Sequence, residues 1–276
     1  AALVPAALEA IGHEAPAELR QRWREARQAF VVQRSVEQVR EAARRFLAQG
    51  ALSAEEREAL RAQGLHGGGT VGDFVDGGPP PPQLREGLTF HALALDGEGR
   101  PIPVMHTDTA FLLLDHELPS EEVERLLASY RLPFPLGLRT DAGVLVASAV
   151  HSDRPGDLET FDRTQYHGAV VWSWQQALLL VGLARTLERL ARRAAEDPEA
   201  ARVAGVVRDV LTDLRALDAS LARIRGSELW TWGARHGRIE PVPYGTEGDA
   251  TESNAVQLWS TVGLGVSAVL AATAQE

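Results

Sequence analysis

Apolar positions recur at helical spacing from Ala17 to Ala62, where Trp23, Ala26, Phe30, Val39, Ala43, Phe46 and Leu47 alternate with Arg- and Glu-rich faces. This pattern predicts about three helices, the third running from Ala54 to Ala62 behind a capping box of Ser53 and Glu56. Neither the helical nor the strand period survives through Gly64 to Gly87, which carries Gly67-Gly68-Gly69, Gly77-Gly78 and Pro79 to Pro82 and reads as a long loop. Phe90 to Leu95, followed by Asp96-Gly97-Glu98-Gly99, reads as a short strand entering a turn. Helical pattern returns beyond it, over Pro119 to about Tyr130, Ala169 to Ala191, Pro198 to Arg223, and Asn254 to about Ala272 with Ser253 as its cap.

Helix pairs joined by loops rich in Gly, Pro and aromatic residues imply an array of antiparallel helical hairpins. The organisation read from the pattern is a helical part over 1–63, a Gly/Pro-rich loop over 64–87 and a second helical-hairpin part over 88–276.

Composition narrows the chemistry. The 276 residues, 45% of them apolar, suffice for a buried core. A formal charge of -10 argues against nucleic acid or an anionic membrane surface as partner. The absence of Cys excludes a thiol nucleophile and thiolate metal sites, and every basic residue is Arg, so neither a Schiff-base lysine nor a phosphate-loop lysine exists. No organic cofactor is expected. The apolar run Val262 to Ala272 is too short to span a membrane, and the expected setting is cytoplasmic.

Five of the six Trp residues lie between Trp172 and Trp259, several of them flanked by carboxylates. Sugar sites combine aromatic platforms with carboxylates, amides and Arg that pair hydroxyls, although such Trp residues also serve as ordinary core packing. Two segments concentrate these groups: Tyr166 to Leu178, which opens an apolar helix, and Gly226-Ser227-Glu228-Leu229-Trp230-Thr231-Trp232, which reads as a loop between two long helices. His106 with Asp108, and His151 with Asp153, lack a third metal ligand at informative spacing, and no Gly-x-Ser-x-Gly elbow presents a serine nucleophile.

The segment Tyr166 to Leu178 resembles the Tyr-His-Asn-Gly-Ser-Val-Trp-Pro segment of glycogen-debranching and amylo-α-1,6-glucosidase families, and Gly226 to Trp230 is similar to their Pro-Glu-Leu-Phe motif. Weaker matches follow the same order at Ala92 to Gly97 with Arg100-Pro101, at Gly137 to Thr140, at Pro241 to Tyr244 and at Ala255 to Ser260. Gly168-Ala169 and Trp172-Ser173-Trp174-Gln175 depart from the family pattern, so one motif carboxylate is missing. The resemblance implies an all-α (α/α)6 toroid, part of it supplied by an upstream portion of the same protein. It also implies inverting hydrolysis of an α-glucan or related oligosaccharide by two carboxylates. Glu228 is then the first catalytic candidate, as the base, with Asp108, Glu252 and Asp162 as candidate partners. Arg139, Tyr166, His167, Trp172, Trp174, Gln175, Trp230 and Trp232 would line the sugar pocket. A carbohydrate-binding relative without catalysis and a helical protein-interaction scaffold are the alternatives.

Overall fold

The computed structural model describes residues 16–115 and 118–245, together with 262, 265 and 266. Its architecture is mixed α/β, 49% helical and 17% strand, which replaces the all-α toroid expected from the sequence. The strands come from short extended segments between the helices, which a 3.6-residue reading passes over.

The chain opens with α1 (Ala17–Ala26) and a 3₁₀ turn, then β1 (Val31–Arg34). Helix α2 (Val36–Leu47) follows behind a capping box of Ser35 and Gln38, and α3 (Ala54–Ala62) behind the box of Ser53 and Glu56. In each, the cap hydroxyl and the third helical side chain satisfy one another's otherwise unpaired backbone N–H groups. The Gly/Pro-rich stretch, read as a loop, holds α4 (Val71–Val75), capped by Thr70 and Asp73 in the same way.

Strand β2 (Leu88–His91) pairs antiparallel with β1, Val31 opposite His91. Then β3 (Ala94–Leu95) and β4 (Pro101–Ile102) close a hairpin around the turn foreseen at Asp96 to Gly99. After β5 (Met105–His106) come a 3₁₀ turn over Thr107–Thr109, α5 (Ala110–Asp115) and α6 (Ser120–Arg131). Three two-residue strands follow: β6 (Arg139–Thr140) and β7 (Gly143–Val144) pair with each other, and β8 (Ala147–Ser148) pairs with β5.

A short helix, α7 (Asp157–Thr160), precedes β9 (Val171–Trp172), which leads into α8 (Ser173–Arg193). The predicted helix from Ala169 therefore starts four residues later. Helix α9 (Pro198–Ser220) begins where Pro198 needs no N–H bond and Asp197 accepts from the N–H groups of Glu199 and Ala200.

The Gly226 to Trp232 segment is the clearest correction: it enters a strand, β10 (Leu229–Arg235), hairpinned to β11 (Arg238–Pro243). Aromatic and β-branched residues fill these strands, and the two-residue turn His236-Gly237 has φ of 53° and 72°, the mirror-image geometry that matches strand twist. The sheet order is β11-β10-β9.

Helices α8 and α9 pack against each other, α5 against α8, and α6 against α9 and β2, around one large apolar core. The helix anticipated from Asn254 to Ala272 lies largely outside the described residues. No helix among the described residues is long and apolar enough to cross a membrane.

Candidate functional site

The first turn of α8 organises the site. Trp172 ends β9 and Ser173 opens the helix, and both the backbone N–H and the hydroxyl of Ser173 donate to the carbonyl of Glu228, at 2.9 and 3.0 Å. Pairing of Leu229 with Trp172 in the sheet continues this junction. Glu228 is thereby fixed at the positive end of a 21-residue helix.

The loop 161–168 delivers the aromatic groups. Asp162 accepts from the N–H and hydroxyl of Thr164, both at 2.6 Å, and its carbonyl, with that of Phe161, accepts from the N–H of Ala169. The loop is tied to the β10–β11 hairpin by Thr231, whose hydroxyl donates to the Arg163 carbonyl, and by Tyr244, whose hydroxyl donates to the Thr164 carbonyl. Asp162, a candidate acid, thus acts as a turn former.

Tyr166, His167, Trp172 and Trp174 form a continuous aromatic row. Ring centroids lie 5.0 Å apart for Tyr166 and His167, 4.9 Å for Tyr166 and Trp172, 4.8 Å for His167 and Trp172, and 5.6 Å for Trp172 and Trp174. Phe111 extends it beyond Trp174. His167 is exposed and the other three are partly exposed, so the row offers ring surface to solvent. The indole N–H of Trp172 donates to the Tyr166 carbonyl, which fixes the two rings together.

Glu228 is 2% exposed. The Tyr166 hydroxyl donates to its Oε1 at 2.6 Å, while its Oε2 is buried without a hydrogen-bond partner among the described residues. This overturns the expectation of a solvated loop carboxylate. Arg225, close in sequence, pairs with Asp218 instead.

Asp108 also meets the start of this helix. Gln175, buried in the first turn of α8, donates to Asp108 Oδ1 at 2.9 Å and accepts from the Thr107 hydroxyl. His106, its Nδ1 3.7 Å from Oδ2, holds the Asp108 carboxyl below its ordinary value against the desolvation that would raise it, and the charge of His167 adds to the effect. Neither ring nitrogen of His106 has a hydrogen-bond partner among the described residues, and that ring, His91 and Asp108 border a cavity of 80 Å³. No group of three metal-ligating side chains occurs among the described residues.

The other sequence-derived candidates go elsewhere. Trp230 is fully buried, its indole N–H donating to the Ala142 carbonyl at 2.6 Å, and Trp232 packs on Phe134 in the main core. Arg139 forms a two-pronged pair with Asp213, at 2.7 and 3.1 Å, and borders a separate cavity with His66 and Tyr130. Glu252 lies outside the described residues. Ser173 and His106 are site residues that the sequence reading did not assign. The resemblance touched Tyr244, whose ring stands 6.5 Å from that of Tyr166, without giving it a role.

No protein family, curated protein or solved structure matches the chain.

Proposed function

We propose that the α8 entrance is a carbohydrate site at which an α-glucan or related oligosaccharide is hydrolysed, with Glu228 as the general base. The observation that carries this reading is the buried Glu228 carboxylate, held on one oxygen by Tyr166 and with the other lacking a partner among the described residues, beside a row of exposed and partly exposed rings. A sugar's apolar face stacks on such rings, and its hydroxyls find an acceptor in Asp108, whose carboxylate is part-exposed. Proton abstraction from an attacking water requires that this buried oxygen become accessible when the sugar binds. The resemblance of the Tyr166 and Glu228 segments to debranching glucosidases supports the same assignment. In an inverting reaction the second carboxyl must supply a proton to the leaving oxygen.

Asp108 is poorly suited to that second role, because His106 moves its carboxyl down, away from the raised value a proton donor needs. This favours sugar-hydroxyl binding for Asp108, and it is also the observation that favours the second reading, a carbohydrate-binding site without turnover. Incubating the protein with maltotriose and with isomaltose while following the anomeric proton signals separates the two. Release of β-anomeric product supports inverting hydrolysis. Saturable quenching of Trp fluorescence without product supports the binding site alone. Neither product nor quenching removes both readings.

A further inference from the structure

A cavity of 830 Å³ lies away from the α8 entrance, between the end of β1, the 82–89 segment that enters β2, and one face of α6. Arg34, Arg85, Arg125 and Arg131 line it, together with His66. In a chain whose formal charge is -10, this gathers positive charge in one place. The acids in the same lining are Glu86, Glu121 and Glu124.

Pairing decides which of these charges stay available. Arg125 is held by Glu121, and Glu124 turns to Arg202, which is not part of the lining. Arg34 donates to the His151 carbonyl at 3.1 Å and stands 3.6 Å from Asp153. Arg85 and Arg131 have neither a side-chain hydrogen bond nor an ion pair among the described residues, and Glu86 is the lining acid left without an arginine.

Arg131 closes α6 and is half-buried. Desolvation pulls its guanidinium below the usual arginine value, and Asp209 and Glu124 oppose this from beyond ion-pair distance. A partly desolvated cation without a hydrogen-bonded counter-charge is costly, so an anion that reaches it from solvent gains a contact the protein does not make itself. Arg131 and His66 also border the 290 Å³ cavity that contains Arg139 and Asp213, so this guanidinium stands where the two spaces meet. Asp213 is already held there by Arg139.

The planar guanidinium fork suits phosphate and carboxylate oxygens alike. Two unpaired guanidinium groups facing one unpaired carboxylate favour a dianion over a monoanion. We propose that this cavity binds a small phosphate-bearing molecule, its phosphate held by Arg85 and Arg131. None of Asp108, Tyr166, Trp172, Trp174 or Glu228 lines the cavity, so the proposal stands apart from the carbohydrate reading.

Calorimetric titration of the full chain with inorganic phosphate and with acetate, at about pH 7.5 and one fixed ionic strength, tests this. Phosphate should bind saturably and at least about tenfold more tightly than acetate, the margin of one further charged hydrogen bond. Arg131→Gln and Arg85→Gln should each weaken phosphate binding by at least about tenfold. Arg100→Gln, which removes an exposed charge outside the cavity, should leave it within about twofold. Arg85 is exposed, so its variant keeps the fold and reads binding alone. No saturable heat with phosphate, equal affinities for phosphate and acetate, or an Arg85 or Arg131 variant that binds phosphate like the parent would each overturn the proposal.

Discussion

The phenol of Tyr166 donates to Oε1 of Glu228 at 2.6 Å, whereas Oε2 of the same carboxylate is buried with no partner among the described residues. The carboxylate is thus half satisfied, and the phenol contributes to both its placement and its stability. Tyr166→Phe keeps the ring contacts with His167 and Trp172 and removes the hydroxyl. Losing a hydrogen bond to a buried charged group should destabilise the fold by about 1–3 kcal/mol, read as a lower urea midpoint at unchanged slope. A midpoint equal to that of the parent would show that the bond contributes nothing net.

The tryptophans divide into two kinds, and their variants should divide likewise. Trp172 is partly exposed in the aromatic row, so Trp172→Ala should weaken maltotriose binding by about tenfold or more, by loss of a stacking face. Trp230 is fully buried with its N–H on the Ala142 carbonyl, so Trp230→Phe should lower stability by about 1–3 kcal/mol and leave sugar affinity within about twofold. Calorimetric titration and thermal melts of both variants check the pair. Reversed outcomes would place the sugar on the wrong face of β10.

Acid should weaken the fold through His151. Burial pushes this imidazole down to about 4, helped by the nearby Arg34 and Arg45 and opposed by its hydrogen bond to the Leu136 carbonyl and by Asp153. The folded-state value lies below the unfolded one near 6.5, so between these the unfolded chain binds the extra proton. Stability from this group is therefore complete above about pH 6.5 and falls as pH drops toward 4, by up to about 3 kcal/mol. Urea unfolding at a series of pH values should show this decline, and His151→Asn should flatten it. An unchanged slope in the variant would assign the acid sensitivity elsewhere; His91, also pushed to about 4 by burial, is the next candidate.

Gly168 holds the loop that carries Tyr166 and His167. A Cβ there would stand 2.0 Å from the Asp162 carbonyl oxygen and 2.9 Å from the Phe161 carbonyl carbon, and backbone cannot move aside as a flexible side chain does. Gly168→Ala should therefore shift the loop, lowering stability by about 2–4 kcal/mol and sugar affinity with it. A variant that melts like the parent would mean that the loop relaxes freely.

The helices of this fold were legible because their signals are local. Ser53 with Glu56, Pro119 before α6 and Pro198 at the start of α9 satisfy or avoid helix-end N–H groups within one turn of sequence. The sheets were not, because their pairing is remote: Leu229 meets Trp172, and Val31 meets His91, through contacts no local window contains. The His236-Gly237 turn between alternating aromatic and β-branched residues was a readable hairpin signal, but the expected helical hairpins obscured it. At the site, Tyr166, His167, Trp172, Trp174, Gln175, Asp108 and Glu228 do gather at the start of α8. Trp230 and Trp232 fail the expectation for one reason. The strand that begins directly after Glu228 carries both indoles into the main core, a side assignment that a loop reading could not make.

Glu228→Gln tests the central claim most directly. The substitution keeps shape and the acceptor for Tyr166 while removing the base, and it exchanges a buried charge for a neutral amide. Turnover of maltotriose or isomaltose, measured beside calorimetric binding of the same sugar, should fall by at least about 10²-fold with affinity largely retained and the fold intact. Turnover equal to that of the parent would contradict the assignment of Glu228 as the base.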